Sequence, residues 1–267
     1  YRVILIMIST FQAEIEHAGS TLRLPPQLGA HAERAHRKLR LAQALRVFGY
    51  LGFDHGLAGH FSARDPINPS LFWINRLGVP FTQANLSNLV LVDKDGTIIE
   101  GDGPINESGV PYHDSIQVAR QDVVGIAHAH AFWGKTWSAF RRPLSNLTAD
   151  SAFFKSDQVI FIPKQEGSLS SKAKALSLAH VLGEANVLIF SNHGIWTTGK
   201  TIEIAAWRFI AFEDAARIQL VAEAANVPAP LDSSSGLPDI ERREVFAHFS
   251  FLALWDRIAV ANADVTE

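Results

Sequence analysis

Gly125-Ile126-Ala127-His128-Ala129-His130 decides how this chain is read, together with a later string, Ile189-Phe190-Ser191-Asn192-His193-Gly194. Val123 to Ala127 is an apolar run with β-branched residues and predicts a buried strand. Side chains alternate across a strand, so His128 and His130 leave the same face, one pleat apart. Two imidazoles so placed can hold one divalent metal between them. A second apolar run, Val187 to Phe190, leads into His193, which can close the site from the neighbouring strand. Three imidazoles with an open position are the usual holding of a catalytic metal. A lone histidine at a strand end is more often a hydrogen-bonded structural residue, so the argument rests on the pairing of His-x-His with the later Asn-His-Gly.

Working outward from these strings, strands alternate with helices. Leu22 to Gln27, with Pro25-Pro26, reads as a linker. His31 to Phe53 carries Leu41, Leu45 and Phe48 at helical spacing and ends near Gly52. Gly56 to Gly59 turns the chain into a strand at Phe61 to Ala63. Leu71 to Asn75 and Leu89 to Asp93 predict further strands, and Lys94-Asp95-Gly96 a hairpin turn into Thr97 to Glu100. Pro111 opens a helix over Tyr112 to Arg120, and Phe132 to Phe140 predicts another. Gln158 to Ile162 reads as a strand and Ser170 as the cap of a helix through Leu182. Beyond His193, Ile195 to Thr198 continues extended. Thr201 caps the longest helix, Ile202 to Ala225. Val227 to Leu237 reads as a Pro-, Ser- and Gly-rich linker, and Ile240 to Val260 as a C-terminal helix. The expected organisation is an N-terminal segment 1–29, a metal-binding domain 30–226, and a linker with a C-terminal helix over 227–267. Interleaved strands and helices argue for α/β layers around one core.

Composition narrows the function. The chain has 267 residues, is 47% hydrophobic and carries a net charge of −3, so it can bury a sizeable core. It has no basic run or stripe, which excludes nucleic acid as an expected partner. There is no cysteine, so any metal must be held by His, Asp, Glu or water. That also fits a reducing compartment. The apolar run Val3 to Ile8 is too short to span a bilayer. A cytoplasmic protein with no membrane partner is the expectation.

The chain resembles the class II aldolase/adducin superfamily, from about Ala30 to about Ala225. Gly56-Leu57-Ala58-Gly59-His60-Phe61-Ser62-Ala63-Arg64 looks like the Gly-rich substrate loop, His128-Ala129-His130 like the paired metal ligands, and Asn192-His193-Gly194 like the third ligand. His60-Phe61-Ser62-Ala63-Arg64-Asp65-Pro66 is closer to the adducin-type branch than to the sugar-phosphate aldolases. The resemblance implies a three-layer α/β/α sandwich, a divalent metal on His128, His130 and His193, and a homotetramer. Zinc is the first choice of metal, and imidazole also suits iron; manganese and magnesium are further options.

Two departures shape the functional expectation. The aldolases place a catalytic glutamate at a fixed distance before the first metal histidine, and that distance falls here on Gly109; the nearest carboxylate is Glu107. Their phosphate-holding turn is also missing, since the matching stretch reads Phe81-Thr82-Gln83-Ala84-Asn85-Leu86-Ser87. His60 stands where the family usually has asparagine. Glu107 and His113 are therefore the candidate proton carriers, and Gly59, His60, Ser62 and Arg64 the candidate substrate-binding residues. Arg64 could instead pair with Asp65 or Asp54. The aromatic residues Phe132, Trp133, Trp137, Phe153, Phe154 and Trp196 read as core packing or as an apolar pocket. The expected function is a metal-dependent lyase, by retro-aldol cleavage or decarboxylation, on a small non-phosphorylated oxo- or hydroxy-acid, for which the aromatic residues suggest an aromatic one. The alternatives are an Fe(II) oxygenase on an aromatic acid, as in relatives from aminocoumarin biosynthesis, and a non-catalytic adducin-like interaction module. Phe246, Phe249, Phe251 and Trp255 on the C-terminal helix add an apolar load that favours an oligomer.

Overall fold

The computed structural model describes residues 22–163, 171–227 and 240–267. The apolar run Val3 to Ile8, the cap expected at Ser170 and nearly all of the 227–237 linker lie outside them. Eight strands form one mixed sheet: β1 (His60–Arg64), β2 (Phe72–Asn75), β3 (Leu89–Val92), β4 (Ile98–Glu100), β5 (Gly125–Ala129), β6 (Gln158–Phe161), β7 (Val187–Phe190) and β8 (Gly194–Gly199). Their order is β4-β3-β2-β1-β5-β8-β7-β6. Among the described residues only β6 and β7 pair in parallel. The helices are α1 (Ala30–Tyr50), α2 (Val110–Ala119), α3 (Phe132–Ser138), α4 (Ser171–Leu182), α5 (Ile202–Ala224) and α6 (Ile240–Asp256).

Alternation along each strand sorts the side chains into two layers. In β1, Phe61 and Ala63 join the larger core, where α1, α5 and α6 pack. His60 and Ser62 face the other layer, toward His113 of α2. In β5, Ala127 and Ala129 belong to the larger core, while Ile126 joins the cluster under α2 and α4. The result is the expected α/β/α sandwich. Burying the apolar face of each helix stabilises it by about 25 cal/mol per Å² of area removed from water. The longest helix, α5, starts where the sequence placed it: the Thr201 hydroxyl accepts from Ile204 N at 3.3 Å. At Gly125 a Cβ would stand 2.8 Å from Ile202 Cα, so that helix lies directly over the start of β5.

Three expectations change. Val187 to Phe190 and Ile195 to Thr198 were read as one extended passage, but a turn between them makes a hairpin. It is therefore β8, not β7, that lies beside β5. Phe249, Phe251 and Trp255 are buried within the chain against the larger core, leaving Phe246 exposed with its ring against Phe153 and Trp207. The apolar load of α6 is thus absorbed within the chain and no longer bears on whether the protein assembles. Among the described residues no helix is long and apolar enough to cross a membrane.

Candidate metal centre

Each histidine is delivered by a different device. His128 sits in β5 and is buried, and His130 lies one residue past its end on the same face. His193 lies in the tight turn joining β7 to β8. Asn192 and Gly194 take positive φ angles of 60° and 142°. That region is tolerated by asparagine and glycine, which accounts for the Asn-x-Gly frame around His193. One ring nitrogen from each histidine falls within 4.8 Å of the others. Ring centroids are 5.2 Å apart for His128 and His130, 5.0 Å for His128 and His193, and 4.7 Å for His130 and His193.

The electrostatics suit a cation held by neutral imidazoles. Burial, the largest cause, lowers the pKa of all three rings, that of His193 to about 4. His128 Nδ1 donates to the Ile195 carbonyl at 2.8 Å, which orients the ring and fixes its tautomer. Its Nε2 is buried with no hydrogen-bond partner. A buried acceptor without a partner carries a desolvation cost that a ligated metal would remove. Trp196 stacks on His128 at 4.5 Å and 10°, and Phe190 on His193 at 4.8 Å. The three residues therefore fit a divalent metal that prefers nitrogen ligands.

Behind the histidine trio runs a buried polar chain. His60 is the cross-strand partner of His128, and their rings are 5.0 Å apart. His60 Nδ1 and His113 Nε2 are 2.7 Å apart, and His113 Nδ1 and Ser62 Oγ 2.6 Å. Gln117 donates to Ser62 Oγ at 3.4 Å, which turns the hydroxyl proton onto His113 Nδ1. His113 then donates to His60 Nδ1, and the His60 proton sits on Nε2. That nitrogen faces Gly109: a Cβ there would fall 2.7 Å from it. The ring of His60 thus fills the space that a side chain at 109 would need. His113 is fully buried and its pKa is lowered to about 3, first by burial and then by His128. The sign follows: an unfolded chain binds this proton near pH 6.5 and the folded one does not, so stability falls as pH drops below 6.5. We expect about 2 kcal/mol less stability at pH 5 than at pH 7 from this group alone. Thermal melts of the metal-free protein should show a smaller pH slope for His113→Asn than for the natural chain.

The other candidates separate. Gly59, with φ of 107°, packs against Phe81 and the end of β5. Ser62 is fully buried inside the polar chain and so holds His113 rather than lining a pocket. The Arg64 guanidinium is occupied by backbone: it donates to the carbonyls of Val123, Pro69, Gln117 and Arg120 at 2.6–3.2 Å and ties α2 to the start of β5. It does not pair with Asp65 either, because Arg34 holds that carboxylate through two bonds of 2.7 Å. Glu107 is exposed and lies outside the histidine cluster. Of the aromatic residues singled out in the sequence, Trp196 reaches the histidines. Trp137 and Phe154 are core, Phe153 packs on Trp207, and Phe132 is exposed against Trp133. Tyr112 was missed. Its ring lies 5.4 Å from Trp196 and 6.2 Å from Phe190, and its position just after Pro111 at the start of α2 was the available signal.

The family model for the class II aldolase and adducin N-terminal domain matches residues 39–220. The chain belongs to this family. Among solved structures, L-fuculose 1-phosphate aldolase from Glaciozyma antarctica PI12 is 32% identical, with a TM-score of 0.79 over 91% of this chain and 97% of that one. Decarboxylase NovR of Streptomyces niveus is 36% identical over 77% of both chains. The 4-hydroxy-3-prenylphenylpyruvate oxygenase/4-hydroxy-3-prenylbenzoate synthase of Streptomyces roseochromogenus subsp. oscitans is 36% identical over 78% of this chain and 76% of its own length. Similarity to a decarboxylase, an aldolase and an oxygenase supports an enzyme on the family's scaffold.

Proposed function

We propose that this family member is a divalent-metal-dependent lyase acting on a small, non-phosphorylated aromatic oxo- or hydroxy-acid. The observation that carries the proposal is the convergence of His128, His130 and His193, with the buried Nε2 of His128 left without a partner. A divalent ion held there would supply fixed positive charge for a substrate carbonyl or carboxylate oxygen, and iron(II) would add reactivity towards dioxygen. The remaining work falls to the chain. Trp196, Phe190 and Tyr112 give the neighbourhood of the cluster an aromatic wall. His60 presents its Nε2 proton beside the trio, and His113 and Ser62 hold that tautomer. In a decarboxylation the bond to the carboxylate breaks, carbon dioxide leaves, and the carbon left with the electron pair takes a proton. That proton comes from solvent, and His60, kept neutral by burial, is placed to donate a hydrogen bond from its Nε2 to the negative charge as it develops.

A phosphorylated sugar is the rival substrate, and the likeness to the fuculose phosphate aldolase speaks for it. Two features speak against it. Arg64, the cation beside the Gly-rich loop, is fully engaged with backbone carbonyls. The stretch matching the phosphate turn folds instead into two short 3-10 turns, Phe81–Gln83 and Leu86–Asn88, and Ala84 O is taken by Arg46. The name of the Streptomyces prenylphenylpyruvate oxygenase supports a non-phosphorylated aromatic acid, with iron(II) oxygenation as the second reading, and that of NovR supports decarboxylation. Metal-loaded protein should be offered an arylpyruvate, an aryl-2-hydroxy acid and L-fuculose 1-phosphate, with carbon dioxide, aldehyde and oxygen uptake followed. We expect kcat/KM for an aromatic acid to exceed that for the sugar phosphate by about 10²-fold or more. Oxygen uptake coupled to turnover would select the second reading, and efficient cleavage of the sugar phosphate would refute both.

A further inference from the structure

Glu213 is a buried carboxylate in the middle of α5, directly after the apolar run Phe209-Ile210-Ala211-Phe212. It is 3% exposed. Among the described residues it forms no ion pair; Lys135 is the one cation felt at its carboxylate. It accepts from Trp133 N at 3.1 Å and from Gly134 N at 2.5 Å. Those are amides of the first turn of α3, whose own N-cap, Ala131, offers no side-chain cap. The carboxylate thus supplies from another element the cap that α3 lacks. Burial raises its carboxyl to about 7 against the pull of the two amides.

The short helix α3 is linked to all three histidines. Its N-cap follows directly on His130. Near its C-terminal end the Ser138 carbonyl accepts from Asn192 N at 3.3 Å, inside the turn that carries His193. In its middle, Gly134 lies so close to Ile195 that a Cβ would meet that side chain at 3.3 Å. The carbonyl of Ile195 is the one that orients His128. We infer that Glu213 is a positioning residue for the metal centre: it anchors α3, and through α3 it sets the mutual placement of His128, His130 and His193. This rests on the metal-centre reading above but assigns a role to a residue outside the cluster.

The test is metal affinity in the full chain, read without turnover. Zinc dissociation constants would be measured by competition with a chromogenic chelator, and the cobalt(II)-substituted protein would give an absorption spectrum. We expect Glu213→Ala to weaken zinc by about 10-fold or more and to alter the cobalt spectrum, the usual scale for a residue that orients ligands. Glu213→Gln, which keeps one acceptor oxygen, should fall between. Gly134→Ala is the second variant, should loss of the buried acid prevent folding. Its added methyl would run into Glu213 Oε1 and displace the carboxylate without deleting it. Phe249→Leu in α6 is the control for a general loss of stability, and it should leave affinity and spectrum unchanged. Wild-type affinity and spectrum in the Glu213 and Gly134 variants, or a loss no larger than the control's, would overturn the inference. A natural chain that takes up no zinc or cobalt would instead sink the metal-centre reading itself.

Discussion

His128→Ala should abolish metal uptake and lower turnover by at least about 10³-fold, the scale of the several kcal/mol that a bound ion contributes to charge stabilisation. His128 is the buried member of the trio, and its Nε2 is buried without a hydrogen-bond partner. Its ring is also held on three sides: by the Ile195 carbonyl, by the stacked indole of Trp196 and by the neighbouring ring of His60. Removing it leaves His130 and His193, both nearer the surface, to hold an ion alone. His193→Ala should weaken binding by a comparable factor without disturbing the sheet, because His193 sits in a turn whose geometry depends on Asn192 and Gly194. Metal content after gel filtration and kcat/KM with the best aromatic acid are the measurements. Retention of one metal per chain in His128→Ala would refute the assignment of that ligand.

The second large effect is expected at His60. His60→Ala should reduce turnover by about 10²-fold or more while leaving metal affinity close to the natural value, the usual consequence of losing a hydrogen-bond donor to charge that develops in the transition state. The reason is placement. His60 Nε2 occupies the space in front of Gly109, and the rest of its ring is locked by the 2.7 Å contact to His113. His113→Asn should cost less, since it removes the support and not the donor. Glu107→Gln should have no effect, because Glu107 is exposed on its loop. Steady-state kinetics on the three variants separate these roles. Full activity in His60→Ala with a large loss in Glu107→Gln would reverse the assignment.

Much of this was legible in the residues. The period-2 pattern of β5 placed His128 and His130 on one face, and the Asn-His-Gly string announced the third histidine, because short local patterns report local geometry well. What escaped detection depends on contacts made far along the chain. The turn at Ser191–His193 lies between two apolar runs, and nothing within them says that the second folds back to lie beside β5. Arg64 looked available for a substrate because three of its four carbonyl partners, Gln117, Arg120 and Val123, lie more than fifty residues on, between the end of α2 and β5. The aromatic residues of α6 looked excessive until α5 and the core beneath it were seen to cover them. Glu213 carried a faint signal, a carboxylate on the apolar face of a helix, but its partner helix begins eighty residues earlier in the chain. His60 facing Gly109 is a complementarity of volumes across two strings that sequence spacing alone does not reveal.

The most direct measurement of the central claim is elemental analysis with X-ray absorption spectroscopy on the natural chain, purified without chelator and reconstituted with single metals under anaerobic conditions. One divalent ion per chain with imidazole nitrogen ligation, lost on removal by chelator together with turnover and regained with it, is the predicted result. Undiminished turnover in rigorously metal-free protein would contradict it.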